Sequence, residues 1–483
     1  MSTMAIWRTT ILTACLAIAT SASHAGAKPT RKFDPPQPPP DLEQLGANIQ
    51  RTMTLLATST PQKRNRVRIL FYGQSVTRNP WWKTVADHLR KTYPHADLEV
   101  ANKALGGYSA PTLIHTAEHD LYPYYPDLLI FHVYGGVKGG QQEEIIRRVR
   151  QRTTSEVVLW TSHFRWPRDL ARDGDPNDPG AQRLTKADET RSAMIRDIAK
   201  KFGCELAEVR ERFRKYLADH KLFPKDTLGD SVHPNKLGNF LIASLLIPSL
   251  RYDPKFPNAP WKDLVTDIAT DAKAVKRGAN GSLELTFDGN RIDIIAAHAK
   301  APKLGTAKVL IDGKTPSAFP EIYYHTRPSR APHTGWPAIN RIDHTKPLVL
   351  EKWTAKILEC DPEKRHLAFE VIGSVTGPDG KGTANKKFVS NSGRVVIDRR
   401  RWMVCHSLRY RKKPLPKDYK VTWEVKPLFV DVYQAPKTDD AAKEYATTLA
   451  QGLANGRHTL KLVPNSDGAL PIAAFRVYGP PLR

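Results

Sequence analysis

Gly73-Gln74-Ser75 follows the apolar run Val67 to Tyr72, and a stretch with helical spacing begins at Trp81. The run reads as a buried strand, so Ser75 is expected exposed at its carboxyl end, near a helix N-terminus. Backbone N–H groups in such a loop can face a developing oxyanion. A second constellation, Gly229-Asp230-Ser231-Val232-His233-Pro234-Asn235, precedes an apolar helical stretch. Aspartate and histidine three residues apart on one loop can lie side by side. The carboxylate then holds one ring nitrogen while the other faces a serine. The chemistry available is nucleophilic acyl transfer. Ser75 attacks a carbonyl, and His233 acts as general base toward Ser75 and then as general acid toward the leaving alcohol. The same residues also fit plain structure, with Ser75 capping one helix and Asp230 or Ser231 capping the next.

The elements that must position these residues alternate. Val67 to Tyr72, Asp97 to Ala101, Asp127 to Val133, Val157 to Thr161 and Cys204 to Ala207 read as strands. Trp81 to Tyr93, Gln141 to Arg152, Lys186 to Phe202, Glu208 to His220 and Pro234 to Leu250 read as helices. Continuous apolar strands between helices predict a flavodoxin-like parallel sheet covered on both faces, with its active site at the strands' carboxyl ends. From Gly278 the pattern changes to short alternating runs, such as Leu283 to Phe287 and Ala474 to Tyr478, separated by turn signals such as Asp288-Gly289-Asn290. These predict an all-β sandwich domain.

Together, Gly-Gln-Ser at 73–75 and Asp-Ser-Val-His at 230–233 resemble the first and last blocks of the SGNH (GDSL-like) hydrolases, and Asn102-Lys103-Ala104-Leu105-Gly106-Gly107 resembles their second. The resemblance covers residues 66–250 and is nearest to carbohydrate O-acetyl esterases. It implies a Ser75–His233–Asp230 triad and an oxyanion hole formed by the N–H groups of Ser75 and Gly107, with no metal or organic cofactor.

One block departs. After the strand ending at Phe131, the family carries Gly-x-Asn, whose asparagine is a third oxyanion donor. This chain reads His132-Val133-Tyr134-Gly135-Gly136-Val137, with Gly136 at the asparagine's position. Losing one such donor costs on the order of a hundredfold in rate or more. His163, after the next strand, is the candidate replacement or substrate contact, and His132 is a weaker one. His115-Thr116-Ala117-Glu118-His119 fits a zinc-peptidase pattern, but no third ligand stands out and no metal is expected.

The chain has 74 Lys and Arg against 49 Asp and Glu, a net charge of +25. This balance favours anionic partners such as acidic polysaccharide, or is a generally basic solvated surface. Nucleic acid is not expected, because no nucleic-acid motif accompanies the basic clusters and the chain opens on an export signal. Arg8, the apolar stretch Ile11 to Ala19 and Ser23-His24-Ala25 read as a signal peptide over residues 1–25, cleaved after Ala25 or, second, Ala27. Leu12-Thr13-Ala14-Cys15 also resembles a lipoprotein box. Residues 26–62 are polar and proline-rich and read as a tether, with a short helix within Leu42 to Leu56. The hydrolase unit is then 63–255, a linker 256–277, and the sandwich 278–483. No later stretch is long enough to span a membrane.

Cys360 and Cys405 fall in the same half and could pair in an oxidising compartment, while Cys204 reads as a buried filler. Tyr323, Tyr324, Trp336, Trp353 and Trp402 could stack on sugar rings or serve as sandwich core. The expectation is a secreted or periplasmic serine esterase acting on an acylated glycan. Its rivals are a lipase- or thioesterase-like hydrolase and a glycan-binding protein whose hydrolase unit is inactive.

Overall fold

The computed structural model describes residues 33–256 and 262–483. The expected signal peptide, its cleavage sites and Cys15 lie outside the described residues. No described helix is long and apolar enough to cross a membrane.

The first half carries helices α1 (Gln50–Ala57), α2 (Ser75–Arg78), α3 (Trp81–Thr92), α4 (Ala110–Asp120), α5 (Gln141–Arg152), α6 (Pro179–Lys201), α7 (Val209–Asp219) and α8 (Lys236–Leu246). Between them run strands β1 (Arg66–Gly73), β2 (Asp97–Asn102), β3 (Leu128–His132), β4 (Glu156–Trp160) and β5 (Glu205–Ala207). The strands form one sheet in the order β2-β1-β3-β4-β5, every pairing parallel. This is the flavodoxin-like order expected. Every residue of β3 and β4 is buried because helices cover both faces, which is why these strands read as unbroken apolar runs. Ile69, Ile130 and Val158 pack with α1, α3, α7 and α8. Leu70, Leu129 and Leu159 pack on the opposite face with α4, α5 and α6.

The expected tether is shorter than residues 26–62. Met53 and Leu56 of α1 are buried in the first core. Buried Glu156 accepts hydrogen bonds from the N–H groups of Arg51 and Thr52 at 2.9 and 2.7 Å, and so satisfies the start of α1. The short helix expected within Leu42 to Leu56 is present as α1, but it packs on the core rather than lying in a tether.

The second half contains β6 (Val265–Ala269), β7 (Val275–Arg277), β8 (Leu283–Ala296), β9 (Thr306–Ile311), β10 (Tyr323–His325), β11 (Lys352–Asp361), β12 (His366–Gly373) and β13 (Gly377–Thr383). A short pair, β14 (Phe388–Val389) and β15 (Val396–Ile397), precedes helix α9 (Val404–Arg411) and β16 (Lys420–Pro427). The chain then forms β17 (Val432–Gln434), β18 (Ala446–Pro464) and β19 (Ile472–Tyr478). One sheet runs β17-β9-β18-β8-β19-β6, with β7 on β8. The other runs β10-β16-β11-β12-β13. Each sheet has its own apolar core, and α9 packs on the second through Val404 and Leu408. The expected linker 256–277 contains β6 and β7, because Val265 to Ala269 pairs with Ala474 to Tyr478 across the chain's far end.

The two halves are joined on α4 and the loop before it. Arg327 makes a bidentate ion pair with buried Asp120, at 2.8 and 2.6 Å. Tyr108 donates its hydroxyl to Asn340. Cys360 and Cys405 are free thiols on β11 and α9, within hydrogen-bonding reach of one another, and Cys204 is buried.

Candidate active site

Gly73 ends β1 at φ +148°, and a Cβ there would lie 2.4 Å from the His132 carbonyl oxygen. Only glycine lets the strand end pass so close to β3. The chain then turns, and Ser75 opens α2. Its backbone N–H is first in the helix and has no intrahelical acceptor. Ser75 itself is half-buried.

The second block is stitched alongside. Leu105 donates to the Gly73 carbonyl at 2.9 Å. Asn102 donates to the Thr77 carbonyl at 2.7 Å and accepts from the Ala104 N–H at 3.0 Å. The loop passes over the serine, since a Cβ on Gly106 would lie 3.8 Å from Ser75 Cβ. The Gly107 N–H has no acceptor among the described residues. Neither the Ser75 nor the Gly107 N–H thus has a backbone acceptor among the described residues.

Across the site, Asp230 Oδ2 accepts from His233 Nδ1 at 2.7 Å, and Oδ1 accepts the N–H groups of Val232 and His233 at 2.8 and 2.7 Å. Burial pushes the Asp230 pKa up. The His233 N–H, the His233 ring and the Val232 N–H outweigh it and hold the carboxyl down at about 2. An ionised carboxylate on Nδ1 leaves Nε2 as the basic nitrogen. Neither Asp230 nor Ser231 caps α8; Asn235 does, accepting from Gly238 N–H at 3.1 Å. Val76 and Val232, neighbours of the serine and the histidine, belong to one apolar cluster. The Trp81 N–H donates to Asn239 at 3.2 Å, tying α3 to α8. Ser75 Oγ has no hydrogen-bond partner among the described residues, His233 Nε2 included. Serine–base contacts of this kind are often long without substrate.

The two histidines offered as substrate contacts are both fully buried. His163 Nε2 donates to the Val232 carbonyl at 2.8 Å, and Nδ1 accepts from the Tyr134 hydroxyl. Burial lowers its pKa to about 4, so the ring is neutral. It braces the Asp230–His233 loop from beneath. His132 stacks on Trp160 at 3.9 Å and reaches Ser162 Oγ at 3.3 Å. Neither replaces the missing asparagine. At that position Gly136 has φ +85°, and a Cβ would fall 2.3 Å from Pro111 Cδ, so the backbone itself excludes a side chain.

His119 has both ring nitrogens engaged, with the His325 carbonyl at 2.6 Å and the Ile342 N–H at 3.3 Å. Glu118 is held by Arg148 and Arg152. The His-x-x-Glu-His pattern is thus part of the joint between the halves. Of the five aromatic residues marked for sugar stacking, Trp353 is core and Trp402 packs on Phe369. Tyr323 and Tyr324 lie on β10. Trp336 reaches the site, donating from Nε1 to the Gly106 carbonyl at 2.6 Å, with its ring against Gly107. Sequence reasoning missed as site residues Asn102, Tyr134 and Arg78, whose Nη1 would lie 3.0 Å from a Cβ on Gly106. Asn102 stands inside the second block and was within reach; the other two carry no local signal.

No protein-family model and no curated protein matches the chain. Among solved structures it is similar to an acetylxylan esterase from Geobacillus stearothermophilus, with 16% identity over 40% of this chain and 98% of that one and a TM-score of 0.33. It is similar to a two-domain esterase active on acetylated mannans, with 13% identity over 92% of this chain and 99% of that one and a TM-score of 0.35. An alpha/beta hydrolase from the metagenome of Lake Arreo, Spain, shares 17% identity over 39% of this chain and 98% of its own, with a TM-score of 0.32.

Proposed function

We propose that this protein is an exported serine esterase that removes acetyl groups from a polysaccharide through an acyl-enzyme. The observation that carries the reading is the Asp230–His233 pair, joined at 2.7 Å, at the same end of the sheet as a serine flanked by two unpartnered backbone N–H groups. His233 Nε2 takes the Ser75 hydroxyl proton as Oγ attacks the ester carbonyl. The N–H groups of Ser75 and Gly107 receive the oxyanion. The imidazolium returns the proton to the leaving sugar oxygen, and the same base then activates water to release acetate. Asp230 stays ionised throughout and holds the ring in one tautomer.

Two donors rather than three implies a modest turnover, on the order of a hundredfold below a site with the asparagine. The exposed setting of Gly107, with Trp336 beside it, suits a bulky leaving group better than a long acyl chain. The test is hydrolysis of 4-nitrophenyl acetate by the unsubstituted chain and by Ser75→Ala. Activity lost in the variant supports the nucleophile. Equal rates in both would remove Ser75 from that role.

A further inference from the structure

Trp336, His406 and Tyr410 make a continuous aromatic surface. The Trp336 ring lies 5.1 Å from His406, with planes 26° apart, and 5.2 Å from Tyr410. Tyr410 is 62% exposed. The surface begins at the oxyanion glycine, because Trp336 rests on Gly107, and runs outward over α9.

Its surroundings are cationic and unpaired. Arg78 reaches between Gly106 and Gly335. Arg411 lies over the Tyr410 ring at 5.2 Å. Arg365 and Arg409 are close enough to hold the His406 pKa below its ordinary value, although burial contributes most. None of these four arginines forms an ion pair among the described residues. On the α/β half, Arg147, Arg148, Arg152, Arg165, Arg210 and Arg214 by contrast have carboxylate partners. Residues 399–420 carry nine Lys and Arg against a single acid, Asp418. Unneutralised like charges repel and concentrate counter-anions. A neutral glycan would stack on the rings without needing them.

We propose that this surface is a subsite for a uronate-bearing polysaccharide, whose rings stack on Trp336 and Tyr410 and whose carboxylates face Arg78, Arg365 and Arg411. The subsite rests on the esterase reading, since it lays the polymer beside Ser75 with an ester at the Gly107 N–H.

Binding tests it separately from turnover. The full chain carrying Ser75→Ala is run in affinity electrophoresis through gels containing polygalacturonate or a neutral mannan of equal length. Polygalacturonate is expected to bind at least about tenfold more tightly, with the advantage shrinking as salt is raised. Tyr410→Ala and Arg411→Ala, both at the surface, are each expected to weaken binding several-fold to about tenfold at an unchanged melting temperature. Equal affinity for the two polymers overturns the proposal, as does unchanged binding in both variants. Equally tight binding of an oligothymidylate of the same charge also overturns it, since charge alone would then account for retention. Polygalacturonate binding without 4-nitrophenyl acetate hydrolysis by the unsubstituted chain keeps the subsite and removes the esterase; hydrolysis without that binding does the reverse.

Discussion

The indole N–H of Trp336 donates to the carbonyl oxygen of Gly106 at 2.6 Å, joining residues 230 apart in the chain. The peptide that carries this carbonyl also carries the Gly107 N–H, so a residue of the β-rich half orients the N–H proposed as an oxyanion donor in the α/β half. Trp336→Phe keeps the ring and removes the bond. Its expected effect is a fall of about tenfold in kcat for 4-nitrophenyl acetate, with KM changed by less than about twofold, because the donor is aimed only at the transition state. The loss in stability should be about 1 kcal/mol, the net worth of one hydrogen bond. Steady-state kinetics and a denaturant melt check it. An unchanged kcat would mean that the second block holds its shape without the β-rich half.

The bond from His163 Nε2 to the Val232 carbonyl gives the loop a pH-dependent brace. Burial depresses the His163 pKa to about 4 from an ordinary 6.5. Between these values the unfolded chain holds the extra proton, so the stability contribution is complete above about 6.5 and is lost as pH falls toward 4. The size is on the order of 3 kcal/mol at most. His325, pushed down to about 3 by burial, acts in the same direction. So does His115, lowered to about 4, again mainly by burial. Glu205 opposes them: burial raises it to about 7, so its contribution is lost as pH rises through that value. The histidines outnumber it. Thermal unfolding is expected to shift down between pH 7 and 5, and His163→Gln, which keeps a donor but no titration, should flatten that slope. Melts across the pH series in both chains decide it.

What was legible in the sequence was local. Leu128 to Phe131 announces a strand covered on both faces because every residue is apolar, and Ser75, Asp230 and His233 announce themselves because residue type and spacing suffice. Burial of a polar ring is not local. His163 has the right type to touch a substrate, yet it is fully enclosed by Tyr134, Val232 and the sheet. Nor is pairing across long separations. Gly377 to Thr383, rich in glycine and without an apolar run, is a strand through its pairing with β12. Val265 to Ala269 reads as linker until β19 returns beside it. The Trp336 contact needed the whole chain.

Asp230 carries two backbone N–H bonds besides the ring of His233, so its charge is fixed over the working pH range. Asp230→Asn removes the charge and disturbs the tautomer while leaving a hydrogen-bonding side chain. A fall of about a hundredfold or more in kcat is expected. Because Asp230 is more than half exposed, water partly substitutes, and the loss should stay below that of a buried triad carboxylate. The acid limb of the rate profile should not follow Asp230, whose carboxyl is held down at about 2. A variant within about twofold of the unsubstituted rate would show that the pair has no catalytic part.

Gly136 stands where the resemblance to SGNH hydrolases would place an asparagine as third oxyanion donor, and the simplest engineering idea is to introduce that asparagine. The structure argues against it. A Cβ at this position would lie 2.3 Å from Pro111 Cδ and 2.9 Å from Ala110 Cβ, at the first turn of α4. Asparagine tolerates the positive φ, but no rotamer relieves an overlap at Cβ, so the loop or the helix start must move. Gly136→Ala is expected to cost about 2 kcal/mol or more, through the same overlap and the less tolerated backbone angle. Gly136→Asn should be destabilised by the overlap alone, at about 1–3 kcal/mol, and should show no gain in kcat. Paired melts and ester hydrolysis distinguish the cases. A rise of about tenfold in Gly136→Asn with stability kept would mean that this loop accepts a third donor after all, and that two backbone N–H groups are this chain's choice rather than a constraint of its packing.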